Sequence, residues 1–496
     1  MKKILWLSII TLIIITLMIA QTVPSVRIIS QHSSIVNNQT VEWSDGSVSG
    51  TWMDSEHIEH GSIQGILTMG RSEKTGWFLG IITNEDNLPV GQFSGRFFRS
   101  ILLGIIQLDD TDIPYTPFLG TITTSNNTWF SATIKLLAMY TITITCTYQF
   151  SFLPRPTGPY FICVKDQYLI DTSRVEKFTQ DEFDHREMML KIWYPIEPKS
   201  AEDPVEYMDY FTFQWLKNRS PIPLITIKND AYLSINPHGF NQGILLTNQE
   251  TFPILVFSPG YDGNVEIYTS FIEEMVSHGY VVFSINHPFI SGLTIFPDGR
   301  MIRSTSIESF SFESVVEDVL FVLNYLEDLN ENDPIFKNRL DLDHIGMYGH
   351  SFGGAATLEV MKRDSRVKAG LTLDGAIGAD LIPDSFDKPF MMMLAEESFA
   401  ENASNQLFNR IKDDGYLLTI LGSTHYAFTD VGLLMSHLIP LIPSNLLLFG
   451  TINAKRMVNI TRSYIREFFD VYLKNEPLDH IFDLENKYNE AILVKK

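Results

Sequence analysis

The residues with the clearest chemical potential lie in the run 344–357, HIGMYGHSFGGAAT, where Ser351 stands in the pattern Gly-x-Ser-x-Gly. The pattern alone is weak, because glycine and serine are common in loops. The residues around the pattern are more specific. Residues 344–348 are predicted to form a short apolar strand, and residues 352–362 a helix that begins with small residues. A strand, a sharp turn and a helix are what a nucleophile elbow requires. We predict that Ser351 is a nucleophile; the alternative is a glycine-rich turn with a structural serine.

A serine hydroxyl is a poor nucleophile at neutral pH and needs a base to take its proton. The candidates downstream of Ser351 are His425 and His437. His425 directly follows the strand-like run YLLTILGST, whereas His437 lies inside the apolar run LLMSHLIPLIP without a strand end beside it. We predict His425 as the base, and His437 as a histidine on a helix surface or interface.

The base in turn needs an acid that orients it, and two positions offer one. Asp374 ends the strand-like run VKAGLTL, 23 residues after Ser351, and is flanked by small residues. Glu396 and Glu397 end the next apolar run, MMMLAEES. Since in α/β-hydrolase sites the order is serine, acid, histidine, each just past a strand end, either place is possible. We favour Asp374 and interpret the glutamates as solvated loop residues.

An oxyanion formed on the substrate should be bound by two backbone N–H groups. One is the amide of Phe352, the residue after the nucleophile. The other is predicted in the loop FSPGYDG, 257–263, at Tyr261, where neighbouring glycines let the loop turn its amides inward. The alternative for this loop is an ordinary β-turn.

The elements that must position these residues begin near residue 156. Apolar runs at 189–195, 253–259 and 280–288 read as strands, and 314–329 as an amphipathic helix opened by a capping box of Ser314 and Glu317. Strands that alternate with helices indicate a parallel sheet covered on both faces. Residues 156–496 are therefore expected to form an α/β-hydrolase fold with a mostly parallel central sheet.

Residues 24–155 have a different pattern. Short alternating stretches such as TITITCTYQF are separated by Gly, Asn and Asp turns, which predicts an all-β domain, a sandwich or a barrel. A short repeat recurs at Gly46, Gly61 and Gly91, 15 and 30 residues apart. The segment LPRPTGPYF marks the boundary near residue 155. No function is predicted for this domain; His57 and His60 lack an evident third metal ligand.

The N-terminus carries two lysines followed by 17 uncharged residues, 4–20, so residues 1–23 are predicted to be a signal peptide or a membrane anchor. The lysines favour a cytoplasmic start and an extracytoplasmic remainder, either secreted or anchored. The chain also contains five potential glycosylation sequons, at Asn38, Asn126, Asn218, Asn402 and Asn459. Cys146 and Cys163 could form a disulfide or remain two unlinked core thiols.

Composition excludes some classes of protein. Of the 496 residues, 45% are hydrophobic and 19% charged, which excludes a disordered chain, and the length allows two or more domains. The net charge of −22 argues against nucleic acid as a partner, because phosphate binding needs clustered Lys and Arg.

The C-terminal two-thirds of the chain resembles the plasma-type platelet-activating-factor acetylhydrolases, also called lipoprotein-associated phospholipase A2. The resemblance covers about 157–475 and leaves the β-domain outside. Its motifs, in order, are T-G-P-Y at 157–160, W-Y-P at 193–195, F-S-P-G-Y at 257–261, N-H-P at 286–288, G-H-S-F-G-G-A at 349–355, L-D at 373–374 and G-S-T-H at 422–425. One departure is Pro259, where the family has S-H-G; the proline removes one backbone donor.

The resemblance implies a triad of Ser351, Asp374 and His425, with the amides of Tyr261 and Phe352 as the oxyanion hole. It implies no metal and no cofactor. The family cleaves short or oxidised sn-2 acyl groups from phospholipids at lipid surfaces, so a phospholipid or small ester and a membrane surface are the expected partners. The run 431–450 is either a membrane-docking segment or a buried helix pair broken by prolines.

Two other functions remain open from the residues. One is a general carboxylesterase, thioesterase or polyester hydrolase on the same fold, which only a substrate panel separates. The other is a surface-binding protein that keeps the hydrolase fold as a scaffold. Such proteins usually lose a triad residue, and all three candidates are present in this chain.

Overall fold

The structure is a computed structural model of the chain, and it describes the strands between residues 46 and 150 and most of the chain after residue 153. The predicted signal segment or anchor at 1–23 lies outside the described residues, as do the side chains of His57 and His60. The described residues are 46–53, 59–69, 75–84, 86, 88–98, 101–108, 116–125, 129–136, 143–150, 153–197, 202–219, 235–247, 249–412, 414–438 and 448–496.

Eight antiparallel strands between residues 46 and 150 close into a barrel. Each strand pairs with the next along the chain, and the last pairs with the first, so that Gly46 lies opposite Phe150. The region is all-β, as its alternating pattern predicts, and of the two expected architectures it has the barrel. The strands are β1 (Gly46–Met53), β2 (Glu59–Met69), β3 (Thr75–Thr83), β4 (Pro89–Phe98), β5 (Ile101–Leu108), β6 (Thr116–Ser125), β7 (Trp129–Leu136) and β8 (Thr143–Phe150).

The strands after residue 153 are β9 (Phe161–Val175), β10 (His185–Ile196), β11 (Glu202–Pro204), β12 (Gly239–Gln242), β13 (Phe252–Ser258), β14 (Val281–Asn286), β15 (Leu293–Ile295), β16 (Met301–Arg303), β17 (Leu340–His350), β18 (Val367–Leu373), β19 (Phe390–Ala395), β20 (Gly415–Ile420) and β21 (Ala491–Lys495). All but β15 and β16 form one sheet, in the order β11-β12-β9-β10-β14-β13-β17-β18-β19-β20-β21. Neighbours from β14 to β20 run parallel, so their carboxyl ends meet at one edge. The predicted mostly parallel sheet is confirmed.

The helices are α1 (Tyr210–Asn218), α2 (Thr269–Ser277), α3 (Phe312–Asn332), α4 (Phe352–Arg363), α5 (Glu401–Arg410), α6 (Val431–Leu438), α7 (Ala454–Lys474) and α8 (Asp479–Lys487). Two hydrophobic cores lie on opposite faces of the sheet, one with α2, α7 and α8 and the other with α3, α4 and α5. Within the described residues, no helix has both the length and the apolar character needed to cross a lipid bilayer.

Strand β13 shows how its sequence supplies both cores. Leu255 and Phe257 pack into one core, whereas Ile254 and Val256 pack into the other. Side chains alternate across a strand, so a strand that is covered on both faces must be apolar at every position. The uninterrupted apolar run at 252–257 is therefore the signature of a central parallel strand, and full burial of each such side chain contributes about 1.5–3 kcal/mol.

The start of α3 corrects the predicted capping box. The helix begins at Phe312, and its N-cap is Ser311, whose side chain accepts a hydrogen bond from the amide of Ser314 at 3.3 Å. The predicted cap at Ser314 is three residues late, because Ser311 and Ser314 offer the same hydroxyl one turn apart. Glu317 instead pairs with Lys177 at 2.8 Å.

Of the two cysteines, Cys163 is a free, buried thiol in β9. Burial raises its pKa, against hydrogen bonds from Tyr194 and the backbone at Val164 that lower it. Cys163 is therefore not part of a disulfide in the structure, and its thiol packs as a small apolar side chain.

Candidate active site

Ser351 lies at the sharp turn between β17 and α4, where the elbow is expected. Its backbone has a positive φ of 53° with ψ −119°, a conformation that costs about 1–3 kcal/mol for a residue with a side chain. The flanking glycines make the turn possible: a Cβ on Gly353 would lie 2.1 Å from the carbonyl oxygen of Ser258. Ser351 makes no side-chain capping bond to α4, so its hydroxyl is not used by the turn itself.

Asp374 directly follows β18, also with a positive φ, of 45°. Its Oδ1 accepts the amide of Ala395 at 3.1 Å, and its Oδ2 lies 2.7 Å from Nδ1 of His425. Burial acts to raise the pKa of this fully buried carboxyl, but hydrogen bonds from His425 and Ser398 outweigh burial and lower the pKa below its usual value. Asp374 is therefore ionised at neutral pH.

His425 begins the short 3-10 helix His425–Phe428 that follows β20. Because Asp374 is ionised, Nδ1 of His425 carries the hydrogen and donates a hydrogen bond to the carboxylate. That tautomer leaves Nε2 as the basic nitrogen. The side chain is 23% exposed, which gives the ring an approach from solvent that the fully buried Asp374 lacks.

Backbone hydrogen bonds join the turns that carry these residues. The amide of Ser351 donates to the carbonyl of Leu373 at 3.0 Å, and the amide of Ala376 donates to the carbonyl of Ser351 at 2.9 Å. The ring of His350, which precedes Ser351, packs at a tilt against that of His425, with centroids 4.5 Å apart. The structure thus brings the elbow, the acid and the histidine together at the carboxyl ends of parallel strands.

The loop that follows β13 packs against the elbow. A Cβ built on Gly260 would lie 3.1 Å from Cβ of Ser351, so only glycine fits without displacing its neighbours. The rings of Tyr261 and Phe352 lie 6.4 Å apart. Neither amide of this pair donates to another backbone carbonyl among the described residues. Both predicted oxyanion donors therefore lie beside the elbow with their N–H groups available.

The competing candidates differ from Asp374 and His425 in their burial and contacts. Glu396 and Glu397 are exposed, and Glu396 accepts the amide of Gly422 at 2.7 Å. His437 lies in α6, and its side chain is not among those described. A further downstream histidine, His480 on α8, has its Nδ1 3.7 Å from Oε2 of Glu467. In contrast to these residues, His425 is hydrogen-bonded to a buried carboxylate at the elbow.

Sequence reasoning missed the part played by His350, the variable residue inside Gly-x-Ser-x-Gly. Its Nε2 lies 3.0 Å from the carbonyl oxygen of His425, and its Nδ1 lies 2.9 Å from the hydroxyl of Tyr268. Burial lowers the pKa of His350 to about 3, with a further contribution from nearby His425. The ring is therefore neutral: Nε2 donates to His425, and Nδ1 accepts from Tyr268. The only signal in the sequence was a histidine beside the nucleophile.

Exposed apolar side chains lie against His425 and beside the loop that carries it. Phe399 packs edge-on against the imidazole with centroids 5.0 Å apart, and Tyr426 does so at 5.5 Å. Leu448 is tied to the same loop, since its carbonyl oxygen accepts a hydrogen bond from the hydroxyl of Thr424. All three apolar side chains are more than half exposed. We call Phe399, Tyr426 and Leu448 the apolar rim.

Metal ligands are not assembled in the part of the chain that the structure describes: no group of three or more His, Cys, Asp or Glu side chains there could hold an ion. The groups that the structure brings together at the site are the serine, the imidazole, the carboxylate and the backbone amides. This set can transfer an acyl group to Ser351 and then to water.

Known proteins with a similar structure or sequence identify the fold. A ferulic acid esterase from Streptomyces cinnamoneus has a similar structure, with a TM-score of 0.59 and 25% identity, over 69% of this chain and 99% of that chain. A cutinase of Thermobifida fusca is 24% identical over 246 residues, 43% of this chain and 74% of its own length. The fold is therefore an α/β-hydrolase fold of the esterase type.

Acetylhydrolases and a related esterase are similar in sequence. The platelet-activating factor acetylhydrolase of Cavia porcellus is 22% identical over 375 residues, 68% of this chain and 81% of that protein. A probable 1-alkyl-2-acetylglycerophosphocholine esterase of Arthroderma benhamiae is 34% identical over 153 residues. That match covers 29% of this chain and about a third, 35%, of the fungal protein's length.

The family model described as platelet-activating factor acetylhydrolase, isoform II, matches residues 149–296 and 314–487. These segments make up more than half of the chain and contain the elbow, Asp374, His425 and the loop at Tyr261. The chain therefore belongs to the family of platelet-activating factor acetylhydrolase, isoform II.

Proposed function

We propose that this protein is a serine ester hydrolase that removes short or oxidised acyl groups from the sn-2 position of phospholipids. The observation that carries the proposal is the 2.7 Å hydrogen bond from Nδ1 of His425 to Oδ2 of Asp374, beside the elbow that bears Ser351. Family membership supports the ester class, and the relatives named platelet-activating factor acetylhydrolase support the phospholipid substrate.

In the first half of the proposed reaction, the Ser351 oxygen attacks the ester carbonyl while Nε2 of His425 takes the hydroxyl proton. The carbonyl oxygen gains the electron pair and is bound by the amides of Tyr261 and Phe352. When the carbonyl re-forms, the bond to the alcohol oxygen breaks, and the imidazolium protonates that oxygen. The lysophospholipid leaves, and the acyl group stays on Ser351. Asp374 stabilises the imidazolium throughout.

In the second half, His425 takes a proton from water, and the hydroxide that forms attacks the acyl-serine. The same two amides bind the second oxyanion. The bond to Ser351 then breaks, His425 returns its proton to the serine oxygen, and the fatty acid leaves. The neutral state of His350 suits this cycle, because a second positive charge beside the imidazolium of His425 would oppose its formation.

We propose that the substrate is reached at a lipid surface. The apolar rim supports this proposal: Phe399 is 66% exposed, Tyr426 54% and Leu448 55%, and two of the three contact the catalytic imidazole. Exposed apolar side chains clustered at a site mark contacts with membranes, ligands or other proteins. Acyl chains released from a bilayer would meet this rim before they reach Ser351.

An extracytoplasmic location, secreted or anchored, is part of the same proposal. It is supported by the charge pattern at the N-terminus and by the exposure of the sequon residues Asn218 and Asn402. Exposed asparagines in this sequence pattern can accept glycans. Fractionation of the producing cells with an antibody to the C-terminal domain tests the location directly.

The decisive experiment uses the full-length chain and its Ser351→Ala variant. Both are treated with a fluorophosphonate probe, and hydrolysis is measured with short and long sn-2 phospholipids and with simple aryl esters. We expect labelling in the parent protein only, and faster cleavage of short than of long sn-2 chains. Labelling with aryl-ester cleavage alone would retain the serine esterase and remove the phospholipid substrate. Folded parent protein that is neither labelled nor active would overturn the enzymatic proposal.

A further inference from the structure

A second series of serine, histidine and aspartate lies behind the active site. The hydroxyl of Ser258 is 3.0 Å from Nε2 of His287, and Nδ1 of His287 is 2.9 Å from Oδ2 of Asp318. Ser258 ends β13, His287 follows β14, and Asp318 lies on α3. All three residues are at most 1% exposed. The series repeats the order of groups found at Ser351 without access to solvent.

The direction of these hydrogen bonds follows from charge. Burial acts to raise the pKa of Asp318, but the charge of Arg186 and the hydrogen bond from His287 outweigh it and hold the pKa well below its usual range. Burial also lowers the pKa of His287, so its ring is neutral. Nδ1 of His287 therefore donates to the carboxylate, and Nε2 accepts the proton of the Ser258 hydroxyl.

Ser258 is fixed on its other side by the nucleophile elbow. It lies opposite Gly349 in the pairing of β13 with β17. Its carbonyl oxygen lies so close to the elbow that a Cβ on Gly349 would be 2.7 Å from it, and one on Gly353 2.1 Å. We call residues 258–263 the oxyanion loop, because the proposed donor Tyr261 lies in it. Ser258 is its first residue, so the position of Ser258 determines where the loop begins.

The segment after His287 holds the far end of the same loop. The amide of Asp262 donates to the carbonyl of Ile290 at 2.9 Å, and the amide of Gly292 donates to the carbonyl of Gly263 at 3.3 Å. The loop 258–263 is thus bound to the segment 287–292 at both of its ends. A displacement of His287 would be passed to the loop through each of these contacts.

The series is itself anchored by buried arginine. Arg186 makes two hydrogen bonds to Asp318, at 3.0 and 2.7 Å, and a third to the carbonyl oxygen of Pro288 at 3.1 Å. Glu176 accepts a further hydrogen bond from Arg186 at 2.9 Å, and Arg174 offsets the second carboxylate by donating to Asp318 at 2.8 Å. A buried ion pair with full hydrogen bonding has one strongly preferred geometry. The anchor therefore resists movement of Asp318 and of the histidine bonded to it.

We propose that Ser258, His287 and Asp318 are positioning residues that hold the oxyanion loop, and with it the amide of Tyr261, at the distance from Ser351 that the reaction requires. The inference rests on the proposed ester hydrolysis. Ser258 is not a second nucleophile, because no ester can reach a hydroxyl that is 0% exposed. Displacement of one oxyanion donor is expected to slow acyl transfer without abolishing it.

The test compares Ser258→Ala and His287→Gln in the full-length chain with the control His238→Gln. Ser258→Ala removes only the hydrogen bond between Ser258 and His287. The contacts among His287, Asp318 and Arg186 stay in place. The control removes a half-buried histidine bonded to a buried carboxylate, His238 with Glu273 at 2.8 Å, which has no part in the series. The measurements are kcat and KM for a soluble aryl ester, and hydrogen exchange of the amides in 258–263.

We expect kcat to fall roughly 10- to 100-fold in Ser258→Ala, with KM little changed and faster exchange of the loop amides. His238→Gln should keep the parent kcat and the parent exchange in this loop. A folded Ser258→Ala variant with the parent kcat and parent exchange would overturn the inference. If the parent cleaves no ester, the proposed function fails, and exchange alone decides: faster loop exchange in Ser258→Ala supports the positioning role, and unchanged exchange overturns it.

Discussion

The rings of His350 and His425 pack against each other with centroids 4.5 Å apart and planes tilted by 33°, and Nε2 of His350 lies 3.0 Å from the carbonyl oxygen of His425. The first residue precedes the nucleophile, and the second is the proposed base. The hydroxyl of Tyr268 lies 2.9 Å from Nδ1 of His350 and 3.4 Å from the amide nitrogen of Gly260. Tyr268 therefore links His350 to the loop 258–263, which carries the proposed oxyanion donor. One buried neutral ring thus connects three parts of the proposed machinery.

We predict that His350→Phe lowers kcat roughly tenfold while Ser351 remains reactive to the fluorophosphonate probe. Phenylalanine keeps the ring volume but loses the hydrogen bond to the carbonyl of His425. Tyr268→Phe is the matched control, because it removes the other hydrogen bond of His350 and leaves the one to His425. Steady-state kinetics of the three proteins on one aryl ester give the answer, and equal kcat in His350→Phe and the parent would contradict it.

The choice of acid is tested by Asp374→Asn against Glu396→Gln. Asparagine cannot stabilise an imidazolium, and it presents an amide to Nδ1 of His425 in place of the carboxylate, so kcat should fall by about 10³- to 10⁴-fold. Glu396 is exposed and accepts only the amide of Gly422 in the described contacts, so its amide variant should keep activity within about twofold. If kcat falls more in Glu396→Gln than in Asp374→Asn, the acid is Glu396, at the end of β19, and not Asp374.

The sequence predicts residues that lie at the ends of parallel strands, but it does not predict contacts that depend on how helices and loops pack. Ser351, Asp374 and His425 each stand just past an apolar run. Because parallel strands deliver their carboxyl ends to one edge of a sheet, residues far apart in the chain could be predicted to meet. That rule needs only the order of the strands and their direction.

The contacts that support the site obey no such rule. His287 and Asp318 are 31 residues apart, on a loop and a helix, and their meeting depends on how α3 packs on the sheet. The same holds for Tyr268 and His350, 82 residues apart. Nothing in the local pattern distinguishes these side chains from ordinary core or loop residues, since their role arises from packing that no periodicity encodes.

The N-terminal strands show a related limit. Alternation with a period of two is the same in a sandwich and in a barrel, so the pattern could predict strands and not their closure. Closure is decided by the pairing of β1 with β8, in which Gly50 lies opposite Cys146. Residues nearly a hundred positions apart make that contact.

The elbow should not tolerate a side chain at Gly353. An alanine Cβ there would lie 2.1 Å from the carbonyl oxygen of Ser258 and 2.5 Å from that of Pro259, and backbone atoms cannot move aside. We predict that Gly353→Ala lowers the free energy of unfolding by about 1–3 kcal/mol or more and abolishes labelling of Ser351. At Gly378 the nearest atom belongs to the side chain of Asp380, which can rotate, so Gly378→Ala is the control. Thermal unfolding and probe labelling of both variants test the prediction; an active Gly353→Ala protein would refute the described packing.

A buried carboxyl on the same loop as His425 should make stability depend on pH. Asp430 is fully buried; its Oδ2 accepts the amide of Ser270 at 3.0 Å, and its Oδ1 has no hydrogen-bond partner among the described residues. Burial raises its pKa to about 7, and the nearby carboxylate of Glu273 adds to the shift. The neutral carboxyl also faces the hydroxyl of Tyr207 at 3.5 Å.

The raised pKa of Asp430 fixes the sign of the effect. Below pH 3.8, the ordinary value for this carboxyl, both the folded and the unfolded chain hold the proton, so the stabilisation by the neutral group is fully present. As the pH rises towards 7, the unfolded chain ionises first and stability falls, by about 1.4 kcal/mol for each unit between the two pKa values. We therefore predict that Asp430→Asn is more stable than the parent protein at pH 8, and that the difference narrows at pH 5. Urea unfolding at both pH values measures it, with the exposed Asp387→Asn as control. If the difference in free energy of unfolding between the parent and Asp430→Asn is the same at the two pH values, the pKa of Asp430 does not change on folding, and the prediction is wrong.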